Sequence, residues 1–79
     1  MPFVFEVYDK APANPTKEAA ITSRVARLGG RLDYREDATE HAGICLTYEF
    51  DDREKAMKAA VVLRKFGEHV EGPMDYAER

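Results

Sequence analysis

The sequence predicts an α+β domain in the order β-α-β-β-α-β, and three observations carry that prediction. Segments with a period of two at 3–8, 31–36 and 42–50 are separated by segments of helical period at 15–28 and 52–66. Glycine or proline marks most of the junctions. A chain of 79 residues holds one domain, 1–79, and leaves nothing over once six elements are assigned.

Strand one, 3–8, alternates Phe3, Phe5 and Val7 with Val4, Glu6 and Tyr8, as a strand with one buried face does. "DKAPANPT" then breaks the pattern, and Asn14 before Pro15 fits a helix N-cap with proline at the first helical position. Ile21, Val25 and Leu28 form the inward stripe of helix one, 15–28, and Gly29-Gly30 ends it. Strand two ("RLDYRE") is expected to turn Leu32 and Tyr34 inward, and strand three ("AGICLTYEF") Ile44, Leu46, Tyr48 and Phe50, with residues 38–42 as the hairpin tip. Asp51 and Glu54 have capping-box spacing. Helix two, 52–66, should bury Ala56, Ala59, Ala60, Leu63 and Phe66, and Gly67 stops it. A fourth strand in "EHVEGPMDY" puts Val70, Met74 and Tyr76 on one face, with Pro73 confining it to a sheet edge.

This order is the ferredoxin-like plan: a four-stranded antiparallel sheet, strand order 4-1-3-2, with two helices on one face. The other face is left open, and Val4, Glu6, Tyr8, Arg35, Cys45, Thr47 and Glu49 are its candidate interface residues, beside Arg31, Asp33, His69 and Glu71. Their mixed apolar and charged character resembles a protein interface. A chain this short buries only about 60–65% of its unfolded surface, so stability shared with a partner is expected. The reading is a non-catalytic interaction or assembly module, homodimeric or bound to another protein. The alternatives are a small-ligand regulatory domain of unidentified ligand, or an enzyme of the dimeric α+β-barrel kind.

Composition narrows the other classes. A net charge of -3 with both signs interspersed offers no basic field for a polyanion, which argues against nucleic acid. No apolar run nears the ~20 residues that cross a bilayer, and the start "MPFVFEVYDK" lacks a signal-peptide pattern. With a single cysteine, a cytoplasmic protein is expected. The ligand-type residues His41, His69 and Cys45 lack metal spacing: His41 and Cys45 are ~13 Å apart along a strand. No metal or cofactor is expected. Cys45 has no base beside it in the sequence and reads as a packing residue. Gly29-Gly30 follows a helix, whereas phosphate cradles precede one. Arg24, Arg27, Arg31 and Arg35 are interspersed with acids and read as a mixed-charge surface.

Two stretches echo known families. "YEFDDREKAMKAA" resembles the third strand and second helix of the RNA recognition motif, which implies the same scaffold. RNA binding there relies on stacking aromatics beside a basic residue, and Cys45, Thr47 and Gly43 stand at those places in this chain. "VARLGGRLDYRE" is similar to the helix-one to strand-two passage of ACT domains, which implies amino-acid binding between subunits. That family carries Asp followed by Pro-Gly after strand one, where this chain has Asp9-Lys10-Ala11-Pro12. Acylphosphatases share the fold, but their arginine-bearing phosphate loop has no counterpart in "DKAPANPT".

Overall fold

The computed structural model describes residues 2–10, 12–38 and 43–75, and the elements are β1 (Phe3–Lys10), α1 (Pro15–Arg27), β2 (Gly30–Ala38), β3 (Gly43–Phe50), α2 (Arg53–Lys65) and β4 (His69–Asp75). The four strands form one antiparallel sheet in the order β2-β3-β1-β4. His41, the tip of the 38–42 hairpin and Tyr76 lie outside the described residues.

The core follows from alternation on the two central strands. Opposing Phe3 to Phe50, Phe5 to Tyr48 and Val7 to Leu46 gathers the bulky side chains of both on one face. The Phe5 ring lies 5.9 Å from Tyr48 and 5.2 Å from Phe50, both tilted. Both helices cover this face. Ile21 and Val25 come from α1, and Ala56, Ala59, Ala60 and Leu63 from α2, whose alanines let it sit close against the aromatics. The buried Tyr48 hydroxyl would be costly without a partner, and it shares a 2.8 Å hydrogen bond with Thr22 Oγ1 of α1.

The helix ends use local chemistry. Lys17 N–H donates to Asn14 Oδ1 at 3.1 Å, the cap expected from Asn-Pro. At α2 the cap is Asp52, not Asp51: its Oδ1 accepts from Glu54 N–H at 2.8 Å, while Asp51 pairs with Arg31 at 3.2 Å. Gly29 and Gly67, just past the helices, take positive φ of 96° and 88°. Arg64 donates to the carbonyls of Val70 and Gly72 at 3.0 and 2.9 Å, tying the end of α2 to β4.

Three inward placements are corrected, and two trace to bulges on the edge strands. Between Leu32 and Tyr34 the β2 register slips by one residue, so Leu32 opposes Tyr48 while Tyr34 opposes Thr47 on the other face. Tyr34 is therefore an exposed residue of the open face, whereas Leu32 keeps the inward face expected of it but remains part-exposed at the sheet edge. A second slip, across Gly72-Pro73, sets Met74 opposite Val4, whereas Val70 opposes the inward Val7. Phe66 caps α2 instead of continuing its stripe and is 60% exposed.

Candidate functional site

The sheet face away from the helices is built by the second half of each alternation. Val4, Glu6 and Tyr8 of β1 oppose Glu49, Thr47 and Cys45 of β3. Glu71 and His69 of β4 oppose Glu6 and Tyr8 from the other side. From β2 come Arg31, opposite Glu49, and beyond the bulge Tyr34 and Glu36, opposite Thr47 and Cys45. Six of the seven candidate residues thus share this face. Arg35 does not: the bulge turns it to the helix side, where its guanidinium donates to Glu18 of α1 at 2.6 and 3.3 Å and meets Asp37 at 3.1 Å. These carboxylates raise its pKa, the Glu18 hydrogen bond most. Arg31 and Arg35 accordingly lie on opposite faces, and it is Arg31 that pairs with Glu49.

The floor of this face is closed. Val4 and Thr47 have no solvent-exposed surface (0% each), although neither faces the core. Around them runs a polar chain. The Tyr8 hydroxyl donates to Glu6 Oε1 at 3.3 Å and the Cys45 thiol lies 3.5 Å from Glu6 Oε2. Burial first, then the neighbouring Cys45 and Glu6, pushes the Tyr8 phenol up to about 12. Burial, and secondarily the Glu6 carboxylate, raises the Cys45 thiol as well. His69 stands edge-on to the Tyr8 ring, 5.7 Å between centroids, with its Nε2 2.9 Å from Glu71 Oε1.

This arrangement is poor at nucleophilic chemistry. A thiol with a raised pKa is protonated at neutral pH, and the thiolate is the nucleophile. His69 is on β4 and Cys45 on β3, with β1 between, so two strand spacings, on the order of 10 Å, separate them. Among the described residues no group of three His, Cys, Asp or Glu is placed to hold a metal ion. What the face does offer is two exposed tyrosines, Tyr8 and Tyr34, rising beside a row of carboxylates, Glu6, Glu36, Glu49 and Glu71.

Other surfaces are concave, and two of them bear on function. After β1, Asp9, Pro12, Asn14 and Lys17 line a concavity of about 350 Å³, where an ACT-like ligand would sit. Lys17 Nζ is engaged there, 2.9 Å from Asp9 and 3.6 Å from Glu68, and the Asp9 hydrogen bond chiefly raises its pKa. On the helix layer, Leu28, Met57, Val61 and Val62 line an apolar groove of about 420 Å³. Beyond it the Arg24 guanidinium lies 3.9 Å over the Phe66 ring. Sequence reasoning missed this groove because it followed only the buried stripe of α2. Met57 and Val61, one turn apart beside that stripe, were the signal.

Comparison with protein families, with curated proteins and with solved structures finds no match for this chain. Among the described residues no helix is long and apolar enough to cross a membrane.

Proposed function

We propose that this chain is a small non-catalytic assembly module of ferredoxin-like plan, which self-associates and uses its open sheet face to do so. The observation that carries the reading is the pair of exposed tyrosines on a closed polar floor. Tyrosine brings large, rigid, amphipathic contact area at little entropic cost and is enriched at protein interfaces. The protonated thiol and its separation from His69 favour this reading over an enzyme. The occupied Lys17 ammonium favours it over an anion-binding regulatory site after β1.

Sedimentation or light scattering over a concentration series tests it. The wild type is expected to exceed monomer mass as concentration rises, and Tyr8→Arg and Tyr34→Arg to return it to monomer with the fold intact by circular dichroism. Thr47 is unsuitable for such a substitution because it is wholly buried. A wild type that remains monomeric to millimolar concentration refutes the proposal.

A further inference from the structure

Charge is divided sharply between the two layers of the molecule. The helices α1 and α2 hold eight of the twelve Lys and Arg residues but only two of the fifteen Asp and Glu residues, a net +6. The rest of the chain, with four cations against thirteen acids, carries −9. The helix-layer groove lies within that positive field: Arg27, Lys55 and Lys58 gather around Leu28 at one end of it. None of these three enters an ion pair among the described residues. The open sheet face is its chemical complement, acidic with projecting tyrosines, where the groove is basic with an apolar floor.

We infer that the occupant of the helix-layer groove is the open sheet face of a second copy, so that copies join head to tail. This rests on the self-association proposed above and specifies its geometry. The alternative, two sheet faces meeting across a two-fold axis, brings Glu6, Glu36, Glu49 and Glu71 of one copy toward the same four of the other. Among the described residues the register assigns only two cations to that face: Lys10, at the very end of β1, and Arg31, which already pairs with Glu49 and Asp51. Like charges across an interface oppose association. In the head-to-tail contact the same carboxylates approach Arg27, Lys55 and Lys58. The groove, about 420 Å³, is wide enough for a tyrosine ring, and Tyr34 is the more exposed of the two candidates at 54%. A contact between two different patches leaves each copy with one free face, so it grows into chains unless the rotation closes a ring.

A mixing experiment tests this with the full chain alone. Val61→Glu damages the groove and leaves the sheet face intact, while Tyr34→Arg does the reverse; both residues are exposed, so both variants are expected to fold. Each variant by itself should associate about tenfold or more weakly than wild type, as loss of a central interface anchor does. Mixed, they should form a one-to-one pair that grows no further, because one intact sheet face then meets one intact groove. Tyr8→Arg replaces Tyr34→Arg should the latter misfold. The sign of the salt effect is a second readout. Raising NaCl from about 0.1 M to about 1 M shortens the Debye length from roughly 10 Å to roughly 3 Å and should weaken a contact between opposite charges. If Val61→Glu associates as wild type does, no mixed pair forms and salt strengthens association, the head-to-tail geometry is overturned while self-association stands. A wild type monomeric at every concentration overturns both.

Discussion

The central and edge strands obey different rules. On β1 and β3 every residue keeps its alternation from end to end, eight opposed pairs without a slip between them. On β2 and β4 the register shifts once each, at Asp33 and across Gly72-Pro73, and the side chains beyond each shift change faces. A strand bonded on both sides, with a core beneath it, cannot slip without moving every one of its apolar side chains to the wrong face. An edge strand is held on one side only and tolerates an extra residue, which also disfavours further strand addition at the edge. Buried position should therefore dominate the energetics of the centre and hardly register at the edges.

The largest expected effect lies in the central pair. Phe5 is fully buried between Tyr48 and Phe50, so Phe5→Ala should cost about 3–5 kcal/mol, enough to unfold much of a domain this small. Leu32→Ala, on the edge strand and exposed, should change stability by roughly 0.5 kcal/mol. Urea denaturation of both variants measures the contrast, and comparable losses would sink the distinction.

Gly30 sharpens the comparison because it lies where edge meets centre. It opens β2 opposite Phe50, and a Cβ there would sit 2.4 Å from the Phe50 ring and 2.7 Å from Val25 Cγ1. Neither neighbour can yield, since both are fully buried. Gly30→Ala is therefore expected to cost about 1–3 kcal/mol through overpacking. At Gly67 an added Cβ meets nothing within 4 Å, so Gly67→Ala should cost only the roughly 1–2 kcal/mol of placing alanine at positive φ. A repacked core, visible as altered aromatic near-ultraviolet dichroism, is expected for the first and not the second.

The same division explains what could be read from the sequence. The strand and helix order, the inward sets of β1 and β3, the Asn14 cap and both glycine stops follow from period, capping and backbone freedom, which are local. Tyr34, Arg35 and Met74 were assigned to the wrong faces because one extra residue in an edge strand leaves no mark on composition. Asp51 was preferred over Asp52 because spacing to Glu54 cannot distinguish an acid that caps from one that pairs with Arg31. Of the candidate face, Val4, Glu6, Tyr8, Cys45, Thr47 and Glu49 were legible because they belong to the central strands. The helix-layer groove was accessible too, in the surplus of Lys and Arg over Asp and Glu within the two helical segments, but only once charge was summed by element rather than by chain.

The smallest expected effect is electrostatic and belongs to the open side of the central pair. Folding raises the Tyr8 phenol from 10.0 to about 12 and lifts the Cys45 thiol above 9.0. In both cases the folded chain holds its proton more tightly than the unfolded chain. Their contribution to stability is therefore complete at neutral pH and is lost as pH climbs from about 9 toward 12. Thermal melts should show stability falling across that window. Glu6→Gln should flatten the fall only in part, because burial is the larger cause at both groups and the Glu6 charge a lesser one. Tyr48, raised by burial on the core side, should be untouched by the same change. Tyrosinate absorbance in an alkaline titration separates the two rings: Glu6→Gln should move the Tyr8 step to lower pH and leave the Tyr48 step in place. An unmoved Tyr8 step would assign its shift to burial and Cys45 and leave the Glu6 carboxylate without influence on the phenol it accepts from.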